Sequence, residues 1–209
     1  MNCLLCNEPA RTAASWTGLF SARSRPVVCA PCRSGFEAPN GQPPLAEWKG
    51  TPYEGALDGA RALFAYNEPM KQFLHQYKFL RDAALARVFS GELADAVSKS
   101  GGRAVAIPVH PDRLKERTFP HVEELLRQAR IPHVEMLEKT ASVTLGKMNR
   151  QERMALDLLF RLRTGIQKAP GEYVLVDDLY TTGTTLHHAA AVLKQAGADR
   201  VTAVTLIRA

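Results

Sequence analysis

The stretch Tyr173-Val174-Leu175-Val176-Asp177-Asp178-Leu179-Tyr180-Thr181-Thr182-Gly183-Thr184-Thr185-Leu186 decides the reading of this chain. It is an apolar run, two adjacent acids, and a hydroxyl-rich turn that leads into a helix. Apolar residues of high strand propensity that stop at paired carboxylates place those acids at the carboxyl end of a buried strand, where open α/β sheets bind ligands. Thr181 to Thr185 then offer successive backbone N–H groups and four hydroxyls around one glycine. They precede a helix whose dipole favours an anion, and Gly183 lets the backbone turn tightly and come close to a phosphate. A turn with an N-cap would use the same residue types, but one cap does not need so many hydroxyls. Strand, acid pair, Gly-Thr turn and helix in this order predict a ribose-phosphate site.

The segment from Val174 to Leu186 resembles the phosphoribosyl-pyrophosphate (PRPP) loop of type I phosphoribosyltransferases. That resemblance implies that Asp177 and Asp178, the catalytic candidates, hold the ribose 2′- and 3′-hydroxyls. It implies equally that Thr181, Thr182, Gly183, Thr184 and Thr185 cradle the 5′-phosphate.

The chain has 209 residues, 45% hydrophobic and 23% charged, the composition of an ordinary globular protein with room for one substantial core and a small appendage. No apolar run reaches the roughly 18 residues of a membrane span, so no membrane insertion is expected. Met1-Asn2-Cys3-Leu4-Leu5-Cys6 lacks the basic start and long apolar region of a signal peptide, and a cytoplasmic location is expected. The formal net charge is +6, and the excess is local: residues 139–168 carry seven Lys/Arg against two acids, and residues 1–35 carry four against one. Such surfaces are either solvated faces or sites for a polyanion.

All four cysteines lie near the N-terminus, as Cys3-x2-Cys6 and Cys29-x2-Cys32. Two such knuckles offer four thiolates, a closed tetrahedral set that suits a structural Zn²⁺ and leaves no open position for catalysis. Disulfides are the alternative, which a cytosolic location disfavours. About 35 residues bury too little to fold alone, so metal would supply folding energy. Arg11, Arg23, Arg25 and Arg33, with Trp16 and Phe20, form either a nucleic-acid surface or solvated charges around a minimal core. Pro39-Asn40-Gly41-Gln42-Pro43-Pro44 and Gly50-Thr51-Pro52 break the pattern. Three regions are therefore expected: a zinc-ribbon module at 1–36, a linker at 37–52 that belongs to neither core, and an α/β domain at 53–209.

Within that domain the sequence predicts a short strand at Gly59–Tyr66 and a helix burying Met70, Phe73, Leu74 and Tyr77. A second helix is predicted from Asp82 to Gly101-Gly102 along Leu85, Val88, Phe89, Leu93 and Val97. By spacing alone, Lys78 between two aromatics is a snorkelling surface residue. Residues 104–111 give a parallel strand whose loop carries Arg113, Lys115 and Arg117; the resemblance to phosphoribosyltransferases implies that this loop faces the pyrophosphate of PRPP, and Arg113 and Arg117 are otherwise surface charges on a helix. A helix through Val122, Leu125, Leu126 and Ala129 and a strand at His133–Leu137 follow. The long interval 138–171 predicts a helix from Asn149 carrying Leu158, Leu159 and Leu162, a mobile cover with Lys147, Arg150 and Arg153 near its start. The chain closes with a helix ending at Gly197 and a strand at Val201–Ile207.

The four-cysteine ribbon, Tyr77-Lys78-Phe79, Ile107-Pro108-Val109-His110-Pro111, Arg113-Leu114-Lys115-Glu116-Arg117, Glu152-Arg153 and the PRPP loop together resemble the competence protein F (ComF) family over nearly the whole chain. The resemblance implies a type I phosphoribosyltransferase-like fold, a Rossmann-like parallel sheet with flanking helices, behind an N-terminal zinc finger. It places Lys78, Arg113 and Arg117 among the PRPP-binding candidates and implies a role in natural transformation, the handling of incoming single-stranded DNA. Other DNA-uptake proteins are implied as partners, Arg23, Arg25, Arg150 and Arg153 are the nucleic-acid candidates, and Mg²⁺ would accompany PRPP in an active site. Thr118-Phe119-Pro120-His121 stands where the family usually has Gly-Phe-Asn-Gln, and Leu145 and Leu156 replace polar residues, so ligand binding is expected to outlast turnover. An active phosphoribosyltransferase and a zinc-ribbon adaptor with a degenerate phosphate site are the other two readings.

Overall fold

The computed structural model describes residues 2–9, 27–78, 80, 82–110, 114, 119–140 and 159–209. In chain order the elements are α1 (Ala30–Ser34), β1 (Gly59–Ala65), α2 (Glu68–Lys78), α3 (Ser90–Ser100), β2 (Arg103–Ala106), α4 (His121–Gln128), β3 (Leu137–Lys139), β4 (Phe160–Leu162), β5 (Gly171–Tyr180), α5 (Thr184–Gln195) and β6 (Ala198–Arg208). Two 3-10 turns, Leu45–Trp48 and Ala83–Arg87, lie between them.

Four strands pair in parallel in the order β1-β6-β5-β2. A parallel sheet covered on both faces needs apolar residues on both, which is why Tyr173 to Val176 and Val201 to Ile207 are buried without a break. Alternate side chains feed two cores. Val174, Val176, Val204 and Leu206 meet Phe73, Tyr77, Leu93 and Leu125 of α2, α3 and α4. Tyr173, Leu175, Val201 and Ala203 meet Leu186, Ala190 and Leu193 of α5, together with Trp48. The expectation of an α/β parallel sheet with flanking helices is met.

Several expectations change. The helix predicted from Asp82 is broken into the 3-10 turn Ala83–Arg87 and α3, with Val88 and Phe89 between them. A spacing of three suits a 3-10 turn as well as an α-helix, so Leu85 and Val88 did not distinguish the two. The strand predicted at His133–Leu137 reduces to one parallel bridge from His133 to Ala104 before β3 begins. Leu159 and Leu162 are not helical: Phe160–Leu162 is β4, antiparallel to β3, with Arg161 opposite Glu138. Cross-strand opposite charges of this kind favour the pairing. Residues 141–158, with the rest of the predicted cover helix, lie outside the described residues.

The segment 37–52 is not excluded from the cores. Trp48 is only 1% exposed and joins the α5 side, and the Glu37 carbonyl accepts a hydrogen bond from the Ala65 N–H at 2.9 Å. Just before it, Phe36 packs edge-on to Phe89 with ring centres 4.9 Å apart.

Candidate functional site: an acid pair and a threonine turn

β5 runs on beyond the acids to Tyr180, so Asp177 and Asp178 do not end the strand as the sequence suggested. They nevertheless lie past the end of the neighbouring β2, which stops at Ala106, opposite Val176. Beyond that point lies a cavity of about 180 Å³. Asp177, Asp178, Thr181 and Thr185 line it, with Lys78 at the end of α2 and His121 at the start of α4. Lys139, His110 and an apolar floor of Ile107 and Pro108 complete it.

The two acids differ in electrostatic character. Asp178 is 5% exposed; its Oδ2 is ion-paired with Lys78 Nζ and lies 3.2 Å from His121 Nε2. Burial alone would raise its carboxyl, but Lys78 and His121 outweigh burial and hold it well below the usual carboxylate range. Asp177 is half-buried, and burial together with the neighbouring Asp178 charge pushes it up to about 7. Its Oδ1 accepts the Asp178 backbone N–H at 2.9 Å. The pair thus offers one fixed anion and one carboxyl that titrates near neutrality. Tyr77, buried behind the site, donates its hydroxyl to the His121 carbonyl at 2.5 Å. Burial, with the charges of Glu124 and Asp178, raises its phenol above the ordinary range.

The turn before α5 is tight and built on one glycine. Gly183 precedes α5 with φ +80°, a left-handed conformation that glycine adopts without penalty. A Cβ there would run into the Tyr180 ring, so the position excludes any side chain. No threonine side chain caps α5, which leaves the first N–H groups of the helix for a ligand. Thr184 is buried and its hydroxyl lies 2.8 Å from that of Thr182, whereas Thr181 and Thr185 face the cavity.

Lys78 is therefore not a snorkelling surface residue; its side chain is 12% exposed and turned onto Asp178. Sequence reasoning had not assigned His121 or Lys139 to the site. His121 and Lys139 lie far from the acid pair in the chain, and only their convergence on one cavity reveals them. Arg113 and Arg117, and the nucleic-acid candidates Arg23, Arg25, Arg150 and Arg153, lie outside the described residues. Arg161 and Arg163 are held in ion pairs with Glu138 and Glu135. Arg33 pairs with Glu92 and lies over the Phe64 and Phe89 rings, so it attaches the cysteine module to the domain.

The four cysteine Sγ atoms lie within 4.8 Å of one another, with Cys6 and Cys29 at 3.7 Å. Four thiolates at the ordinary Zn–S distance sit roughly 3.8 Å apart at the corners of a tetrahedron, whereas a disulfide would bring two sulfurs to about 2 Å. The Leu5 and Cys29 backbone N–H groups donate to Cys3 Sγ at 3.4 and 3.3 Å, as they would to a thiolate. The cluster fits a structural Zn²⁺ held by Cys3, Cys6, Cys29 and Cys32. Among the described residues, no other group of three or more potential ligands is close enough to hold an ion.

Sheet order, acid pair and helix-opening threonine turn define a type I phosphoribosyltransferase-like domain, here preceded by a four-cysteine module. The competence protein ComFC of Streptococcus pneumoniae is 33% identical over 221 residues, covering 100% of both chains. The ComFC of Bacillus subtilis is 28% identical over 227 residues, covering 99% of this chain and 94% of the relative. The chain belongs to the ComFC competence-protein family. No protein-family model matches it. Among solved structures, the glutamine PRPP amidotransferase of B. subtilis aligns at 19% identity and a TM-score of 0.38, covering 63% of this chain and 30% of the other. The adenine phosphoribosyltransferase of Leishmania tarentolae aligns at 12% identity and a TM-score of 0.38, covering 64% and 74%. The fold class rests on the topology and the site, not on these alignments. Among the described residues, no helix is long and apolar enough to cross a membrane.

Proposed function

We propose that this protein is a competence factor that handles incoming single-stranded DNA, and that its phosphoribosyltransferase-like domain binds PRPP or a phosphoribosyl group. The observation that carries the reading is the convergence of Asp177, Asp178, Thr181 and Thr185 on one cavity beyond the end of β2. Carboxylates accept hydrogen bonds from the vicinal ribose hydroxyls, and the helix-opening N–H groups after Gly183 receive the 5′-phosphate. Family membership supports the competence role. A divalent cation such as Mg²⁺ would arrive with the diphosphate of PRPP. The test is calorimetric titration of the zinc-loaded protein with ribose 5-phosphate and PRPP. Saturable binding that Asp177→Asn with Asp178→Asn abolishes is expected; equal binding by the double variant would move the ligand elsewhere.

One observation favours a second reading, an active phosphoribosyltransferase. A cavity of about 250 Å³ adjoins the first, shares Pro108, Val109 and Lys139 with it, and offers space for an acceptor. Release of pyrophosphate from PRPP that depends on an added nucleobase or other acceptor would establish it.

A further inference from the structure

The threonine turn is gripped from outside by a residue of the segment that joins the cysteine module to the sheet domain. Trp48 Nε1 donates a hydrogen bond to the backbone carbonyl of Thr182 at 3.2 Å. The same indole stacks on His187, one helical turn into α5, with ring centres 4.1 Å apart and planes 12° from parallel. Trp48 and His187 are each 1% exposed. Burial, with His188 alongside, keeps His187 down at about 4, so its ring is neutral against the indole at physiological pH. Trp48 is fixed in turn by its own loop: Thr51 donates both its hydroxyl, at 2.7 Å, and its N–H, at 3.2 Å, to the Trp48 carbonyl. Tyr53, edge-on to Trp48, repeats the arrangement by lying over His188 at 4.1 Å.

We infer that Trp48 is a positioning residue for the phosphate-binding turn. Gly183 gives the turn freedom to adopt its left-handed conformation and equally the freedom to leave it. Tyr180 blocks one side of Gly183. Trp48 holds the carbonyl of Thr182, the residue just before Gly183, and its stack on His187 ties that peptide to the helix that follows. Holding the donors in place before binding lowers the ordering cost of the ligand. This inference rests on reading the turn as the phosphate site.

The experiment compares the zinc-loaded full chain with Trp48→Phe, which keeps a ring against His187 and removes the N–H. A second variant carries β-(3-benzothienyl)alanine at position 48, which keeps the shape of the indole and replaces N–H by sulfur, so that it folds even where phenylalanine leaves a gap. Hydrogen exchange of residues 181–185 is measured without ligand, and ribose 5-phosphate affinity by calorimetry. Both variants are expected to speed exchange in the turn while β5 from 173 to 176 stays protected, and to weaken ribose 5-phosphate about three- to tenfold, the worth of one hydrogen bond. Unchanged turn exchange in the benzothienyl variant would overturn the inference, as would unchanged affinity despite faster exchange. Failure of the wild type to bind ribose 5-phosphate would instead overturn the phosphate reading, and the exchange data would still decide whether Trp48 holds the turn.

Discussion

Lys78 Nζ at the end of α2 is ion-paired with Asp178 Oδ2 in β5, and both side chains are almost entirely out of water, 12% and 7% exposed. Removing one partner of a buried pair leaves an uncompensated charge, which costs about 3–5 kcal/mol. Lys78→Met is therefore expected to lower the melting temperature by roughly 6–20 °C, at about 2–4 °C per kcal/mol for a chain of this size. Adding Asp178→Asn to Lys78→Met should recover most of the loss, because the orphaned charge goes with it. A Lys78→Met protein that melts like wild type would show that His121 alone suffices to compensate Asp178.

Asp177 predicts a dependence on pH of opposite sense to that of Asp178. Its folded-state carboxyl is raised to about 7 by burial and by the Asp178 charge, so folding favours its protonated form. That contribution is complete below the ordinary carboxylate range and is lost as pH rises through about 7. For Asp178, held low by Lys78 and His121, the contribution is present above the ordinary range and lost only in strong acid. Asp177→Asn removes the first effect alone. Its melting temperature relative to wild type should rise between pH 5 and pH 8, and a difference that stays constant across that range would mean that Asp177 does not titrate there.

The parts of this site that are contiguous in the chain could be read from the sequence, and the parts that are not could not. Asp177 to Thr185 carry their geometry locally: an apolar strand, two acids, and a glycine that must turn before a helix. The cysteine pairs are legible for the same reason, since each knuckle is four residues long. Lys78 was misjudged on local spacing, because a lysine between aromatics is ordinarily exposed and the partner that buries it lies on a different element. Trp48 sits among prolines and glycines that look like a tether, and only its hydrogen bond to Thr182 and its stack on His187 show that it belongs to the core. The short strand β4 had a spacing of apolar residues that suited a helix, and its pairing with β3 decided otherwise.

The cysteine cluster leads to a prediction about metal. Cys3 is 2% exposed and packs into the same core as Phe73 and Leu93, while Arg33 ties the module to Glu92. Chelation should therefore destabilise the adjoining α2–α3 side as well as the module itself. Metal analysis of untagged protein is expected to find close to one Zn²⁺ per chain. Cys3→Ser should lower the melting temperature and expose the first 35 residues to limited proteolysis. Metal-free protein with two intact disulfides would refute the assignment.

The handling of single-stranded DNA can be tested through salt. Of the basic residues in 139–168, Arg161 and Arg163 are already paired with Glu138 and Glu135, and Arg33 is engaged with Glu92 and two phenylalanine rings. Among the other basic residues of the two stretches, Arg150 and Arg153 in one and Arg23 and Arg25 in the other are the candidates for contacting a polyanion. Contacts to phosphates alone are tolerant of sequence, and each adds about −0.7 to the slope of log affinity against log salt on a single strand. Four such contacts give a slope of roughly −2.8. Arg150→Glu with Arg153→Glu should reduce its magnitude by about 1.4, and Arg23→Glu with Arg25→Glu by a similar amount. Charge reversal at Arg161 and Arg163 should change it far less, since both are already paired, with Glu138 and Glu135. If Arg161→Glu with Arg163→Glu flattens the slope as much as Arg150→Glu with Arg153→Glu does, the ion pairs open on binding and the strand runs over β4. If none of these reversals alters the slope, the basic stretches are solvated faces and the DNA-handling proposal loses its electrostatic basis.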